Sequence, residues 1–260
     1  MYEFIDTMEV AQSTSMTLRT VFNGYNLDEL LTDDTGRFVT LSVSGRGILK
    51  RRLDLTEMPG MHGAKENSAL YDVREITVRF LIEDKTSAGF RDRFNRLNGY
   101  IKGRQKRLEF TDEDAYFIAT LSDASIPDED SNSLVCTMTF TCADSAKRMN
   151  EKVIEVGTSE STHTITGQDE TPWEVNLTFS QAADEFELET DQGIYILLGF
   201  DFIEGDRLTI KYEGREVWLN DDMDLRHSIR LASNYELLKP GELKIRASHA
   251  CQLSYEERLY

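Results

Sequence analysis

Residues 73–83, VREITVRFLIE, decide the fold class. Ile76, Val78, Phe80 and Ile82 recur at every second position, with Thr77, Arg79 and Leu81 between them. Successive side chains of a strand point to opposite faces, so this period of two marks a strand with one covered face. The alternation returns in MTLRTVF (16–22), RFVTLSVSG (37–45), AYFIATLS (115–122) and SLVCTMTFTC (133–142). The first part of the chain is therefore read as mainly β.

One segment breaks the pattern. TSAGFRDRFNRLNGYIKG (86–103) places Phe90, Phe94, Leu97 and Ile101 at helical spacing, with Thr86 or Ser87 as N-cap and Gly103 as stop. KRLEFTDEDAYFIATL (106–121) follows as a hairpin turning at DEDA. Strands, one amphipathic helix and a hairpin make an α+β arrangement in which the helix covers a sheet.

The polar, charged passage CADSAKRMNEKVIEVG (142–157) suggests a boundary, and the chain is divided into residues 1–147 and 148–260. The second part offers short strands at EVNLTFS, EFELETD, GIYILLG, RLTIKY, EVWLN, IRLAS and LKIRAS, with glycine turns in KYEGRE and LKPGEL. That spacing is typical of a β-sandwich.

With 29 basic and 47 acidic residues among 260, the net charge is −18, spread along the chain. A cationic footprint for nucleic-acid backbone is thus missing, and sequence-specific nucleic-acid binding is not expected. MYEFIDTMEV has no basic, then apolar, signal organisation, and the run IYILLGF is far too short to span a membrane. Cys136 and Cys142 sit six residues apart in one extended stretch, too distant to pair, and the count of three cysteines is odd.

Each candidate for chemistry meets a plainer reading. The acidic NDDMD stretch (220–224) could hold a cation, but an EF-hand would need Gly at the sixth position, where Leu225 stands, and Glu at the twelfth, which is absent. It is read as a solvated turn between REVWLN and SIRLAS. Glu187 and Glu189 alternate with Phe186 and Leu188 as an exposed strand face rather than a glycosidase pair. The four histidines form no metal-ligand pair and no nucleophile elbow is present, so no enzyme activity, metal or cofactor is expected. Arg91, Arg93, Arg96, Lys102, Arg104, Lys106 and Arg107 form the one basic segment, read as a solvated face or as a subunit contact. Trp173 and Trp218 are candidates for stacking on sugar or for core packing, with Asp221 and Asp222 as candidate partner contacts.

FNGYNLDEL (22–30), MPGMHG (58–63) before REITVRF, the helix and hairpin closing in MTFTCAD, and IEGDRLTIKYEGREVWLN (203–220) followed by SNYELLKPGELKI occur in order along nearly the whole chain. Together they resemble the distal tail proteins (Dit) of long non-contractile-tailed bacteriophages. Three positions depart from that pattern: Asp221 where the family usually has Gly, Glu242 where it has Asn, and Ser145 where Pro is frequent. The resemblance implies an α+β belt domain of β-sheets or a split barrel, assembling as a hexameric ring, single or stacked, and a galectin-like or carbohydrate-module-like sandwich projecting outward. It implies a structural hub in the virion tail tip, put together in the host cytoplasm. Such a hub surrounds the DNA channel and joins the tail tube protein to a tail-tip protein, with receptor-binding protein as a further partner. The loop 58–71 with Pro59, Gly60, His62 and Gly63, and the helix 87–102 with Arg91, Arg93 and Arg96, are the expected ring contacts. A host-glycan-binding role for the sandwich is the alternative.

Overall fold

The computed structural model describes residues 18–60 and 62–260. The MYEFIDTMEV opening, Met16 and Thr17 of the first expected strand, and Met61 lie outside the described residues. The chain divides into two compact units, the first reaching Ala146 and including Tyr260, the second running Lys147–Leu259.

In the first unit, β1 (Thr20–Phe22) turns through Asn23 and Gly24, both at positive φ, into β2 (Tyr25–Asn26) and a one-turn helix α1 (Leu27–Leu30). Next come β3 (Gly36–Ser44), β4 (Arg51–Glu57), β5 (Ala64–Tyr71), β6 (Arg74–Asp84), helix α2 (Ser87–Tyr100), β7 (Lys106–Phe110), β8 (Ala115–Ser125) and β9 (Ser133–Cys142). All pairings are antiparallel. β6 lies between β3 and β9, and β9 pairs with β8. β8 spends its first half on β7 and its second half on β9, with a register shift between Leu121 and Asp123. β7 in turn pairs with β1. One long irregular strand thus carries the sheet around a corner, as bulges and bends do in barrels.

Alternation in β6 holds as read: Ile76, Val78, Phe80 and Ile82 are buried, and Arg74 and Asp84 extend the same inner face at its two ends. Phe90, Leu97 and Ile101 of α2 join this core, with Thr86 capping the Gly89 N–H at 3.0 Å. The segment α1 had no sequence expectation. It forms because Asn26 caps it, and because the Asp28 carboxylate accepts from the Thr20 and Thr40 amides at 2.9 and 2.6 Å.

The second unit contains β10 (Lys147–Val156), β11 (Ser161–Ile165), β12 (Trp173–Thr178), β13 (Ala183–Thr190), β14 (Tyr195–Phe202), β15 (Arg207–Lys211), β16 (Val217–Leu219), β17 (Met223–Asp224), β18 (Gly241–Ala247) and β19 (Cys251–Leu259). One sheet runs β10–β19–β12–β15–β16–β17 and the other β11–β18–β13–β14. Val175, Leu177, Ile210 and Leu253 of the first share one core with Phe186, Leu188, Ile196 and Ile245 of the second, which makes a β-sandwich.

Two expectations are corrected here. The charged passage after Cys142, read as a boundary and given no strand, carries strand β10 at Lys147–Val156, paired along most of its length with β19. Its charges obscured it because only Ile154 and Val156 are buried. IRLAS is not a strand. The chain there makes isolated bridges, Leu198 with Ile229 and Tyr195 with Asn234, while the Ser233 hydroxyl occupies the Leu197 amide at 2.9 Å and Leu231 is fully exposed.

The most demanding local interaction is the Arg93 guanidinium, 2 % exposed, on the Asp84 carboxylate (2.7 Å), Asp33 (2.9 Å), Thr35 (3.2 Å) and the Leu31 carbonyl. The guanidinium, with the Thr86 amide, holds the Asp84 carboxyl below the usual carboxylate range, and the Asp33 carboxyl is lowered for the same first cause. A depressed folded pKa stabilises above the unfolded value near 4 and is lost as pH falls through the lower folded value. Arg93→Met is therefore expected to lower the melting temperature strongly at pH 7. The difference from wild type should narrow as pH falls below about 4, where the unfolded carboxyls protonate while the folded ones are held lower. Thermal unfolding followed across pH checks both.

Candidate functional site

The first candidate surface is β4–β5. Among the described residues these strands pair only with each other, and every residue of both is exposed. Arg51, Leu53 and Leu55 alternate onto one face, joined across the ribbon by Tyr71 and Ala69, the register partners of Arg51 and Leu53. Leu53 is 49 % and Leu55 52 % exposed. Two-stranded ribbons are marginal in water without a covering layer, so this ribbon has the character of a surface built to be covered. The expected loop 58–71 is corrected: only its first part is loop. Pro59, Gly60, His62 and Gly63 form the exposed ribbon tip, with Gly60 and Gly63 at positive φ, and residues 64–71 are strand β5. LDL and the Pro-Gly pair were the available signals for this hairpin.

The arginines of α2 divide. Arg91 is exposed and pairs with Glu129. Arg96 is partly exposed, bonded to the Leu30 carbonyl and 3.6 Å from Asp33. Arg93, expected at an interface, is buried inside its own unit, because its side chain enters between α2 and β6 to meet Asp84. Gly89 permits this approach, since a Cβ there would lie 2.3 Å from the Asp84 carboxylate.

In the second unit Trp173 takes the core-packing alternative. It is 3 % exposed, donates from Nε1 to the Glu236 carbonyl at 2.8 Å and stacks on Tyr235 at 5.8 Å, so it packs the core instead of facing a sugar. Trp218 is half-buried on the outer side of β16 and donates to Glu216 at 3.2 Å. Asn220 and Asp221, both at positive φ, turn β16 into β17 and not into IRLAS. Asp221 pairs with Arg207 at 2.7 Å, and Asp224, held down to about 2 by hydrogen bonds from Arg226, pairs with that arginine. Asp222 is exposed at the tip. Two of the three carboxylates that suggested a cation thus answer arginines.

The three thiols are free and buried, and burial pushes Cys142 and Cys251 up to about 12. Among the described residues there is no group of three or more His, Cys, Asp or Glu arranged to hold a metal, and no helix long and apolar enough to cross a membrane.

Known families match both units in order. Residues 25–142 match the phage tail protein RIFT-related domain, and residues 166–259 match the siphovirus-type tail component, C-terminal domain. The distal tail protein of Bacillus phage SPP1 is 25 % identical over 215 residues, which cover 80 % of this chain and 85 % of that one. The chain belongs to the distal tail protein family of siphophages. Among solved structures, the SPP1 Dit protein, described as a hub of the adsorption apparatus in phages infecting Gram-positive hosts, superposes with a TM-score of 0.80 at 19 % identity, covering 94 % of this chain and 99 % of that one. A chain of the phage P2 baseplate in its activated conformation gives 0.58 at 9 % identity, covering 93 % and 98 %. At those identities the structures speak to the fold, which is that of the family.

Asp221 sits in the left-handed region, at φ 66. Asp221→Gly is expected to be neutral or stabilising, because glycine carries no left-handed penalty and an exposed ion pair contributes little, whereas Asp221→Val should cost about 1–2 kcal/mol. Trp173→Ala should cost about 3–5 kcal/mol by opening the sandwich core. Trp218→Ala, on the outer face, should cost far less. Denaturant melts of the full chain check all four.

Proposed function

We propose that the protein is the distal tail hub of a siphophage virion: a structural part that joins the tail tube protein to a tail-tip protein and surrounds the DNA channel. The observation that carries this reading is the match of both units, in order, to the two halves of the distal tail family. The first unit forms the hexameric ring, and the galectin-like second unit serves as a platform for tail-tip and receptor-binding proteins. The net charge of −18 suits a conduit that must not hold passing DNA.

The ring contacts of this reading are the β4–β5 ribbon, with Pro59, Gly60, His62 and Gly63 at its tip, and the exposed Arg91 and Arg96 of α2. Arg91 and Arg96 offer cations to the acidic surface of a neighbouring copy. An interface of the obligate kind buries more than about 2,000 Å² in total, which a fully exposed ribbon is well placed to supply.

Light scattering on the full chain at tens of micromolar is expected to give six times the chain mass, and negative staining a six-fold ring with a central hole. The double variant Leu53→Asp, Leu55→Asp should stay monomeric while its melting point moves little, because both side chains are exposed in the single chain. A wild-type protein that remains monomeric, alone and with its tail partners, defeats the ring.

A further inference from the structure

Among the described residues the ribbon has no third strand to steady it, yet its root is held firmly. Chain leaves β3 through Gly45, Arg46 and Gly47, enters β4 at Arg51, and returns from β5 to β6 at Arg74. Arg74 is 1 % exposed and forms no hydrogen bond to a carboxylate among the described residues. Its Nη1 donates to the Gly45 and Gly47 carbonyls at 3.0 and 3.1 Å, and its Nε to the Ser145 carbonyl at 2.9 Å. The guanidinium carbon lies 5.4 Å from the centre of the Phe117 ring. A buried cation that spends its donors on loop carbonyls is costly unless the geometry it enforces matters.

The same three-residue shoulder is gripped from the other side. Arg46 makes a bidentate pair with Asp112, at 2.7 and 2.8 Å, reaches Glu113 at 3.2 Å, and lies 4.9 Å from the centre of the Phe110 ring. This anchors the shoulder to the β7–β8 turn. Gly45 itself is fixed: it sits at φ 89, and a Cβ there would fall 1.9 Å from the Glu75 carbonyl oxygen. The Asp72 amide on the Lys50 carbonyl, at 3.0 Å, closes the root. Two cations and one glycine, with Tyr260 stacked on Tyr71 at 4.1 Å, therefore hold the root of a hairpin that pairs with no further strand among the described residues.

We propose that Gly45–Gly47 is a rigid pedestal and that Arg74 and Arg46 are positioning residues that set the bearing of the β4–β5 ribbon for contact with a second copy of the chain. The pinned root is a property of the single chain; only the use of the bearing rests on the ring reading above.

The test is a spin-label distance measurement within one chain, on the monomeric Leu53→Asp, Leu55→Asp background. Labels at Ser68→Cys on the ribbon and Ser125→Cys on β8 report the ribbon against its own unit. The native thiols, all buried, do not compete for label. A narrow distance distribution is expected in this background, broadening at least about twofold in Arg74→Gln, with Arg74→Lys in between and Arg46→Gln also broadened. With the native Leu53 and Leu55 restored and no labels, Arg74→Gln should lose ring assembly while the unit stays folded. A distribution already broad before either arginine is changed, or one unchanged in Arg74→Gln, overturns the proposal. If Arg74→Gln fails to fold, Arg46→Gln decides, and an unchanged width there overturns it. A wild type that never assembles defeats the ring but leaves the width measurement, and so the pedestal, to be judged separately.

Discussion

The Arg93 guanidinium, set between helix α2 and the end of strand β6, is the interaction on which the first unit depends. Without it the Asp84 carboxylate would be a buried, uncompensated charge at the end of the core strand, the kind of defect that destabilises far more than the intact pair stabilises. The same guanidinium holds Asp33 and the Leu31 carbonyl, so the segment from α1 to β3 is placed by it as well. Helix, central strand and the approach to β3 therefore share one polar anchor inside an otherwise aliphatic and aromatic core.

The two units solve the same problem differently. The first wraps a continuous antiparallel sheet around a corner by dividing β8 between two neighbours, and closes the inside with a single long helix. The second stacks two sheets face to face and has no helix beyond short 3-10 turns at Glu213–Arg215 and Arg226–Ser228. Its polar outer sheet face, with Trp218 half-buried, is ordinary for an antiparallel sheet with one solvated side.

The fold was legible where apolar residues kept a strict period. The inner faces of β6 and β9, the helix stripe through Phe90 and Leu97, and the β7–β8 turn all follow from spacing. Reading failed where burial was sparse or charge was buried. β10 carries two deeply buried residues among many charges, so it looked like a linker. IRLAS alternates as a strand should, yet the Ser233 hydroxyl takes the backbone position a partner strand would need. Arg93 looked like part of a solvated basic face, since no spacing rule distinguishes an arginine that reaches a buried aspartate from its exposed neighbours Arg91 and Arg96. Trp173 could not be assigned a face until Glu236 and Tyr235 were seen beside it. The candidate contact surface was half legible: Pro59 to Gly63 marked a turn, but the exposed strands flanking it carry too few apolar residues to announce a ribbon.

An arm fixed at its root has a consequence for how copies can add to one another. When one copy grips the next head to tail, the angle repeated at each step decides whether the series meets itself or runs on without end. A floppy arm would permit both, and an open series of acidic, apolar-ribboned copies would be a filament. In the ring proposed above, a stiff shoulder at Gly45 would make the angle a property of each chain before it meets its neighbour, so that closure would be written into the subunit.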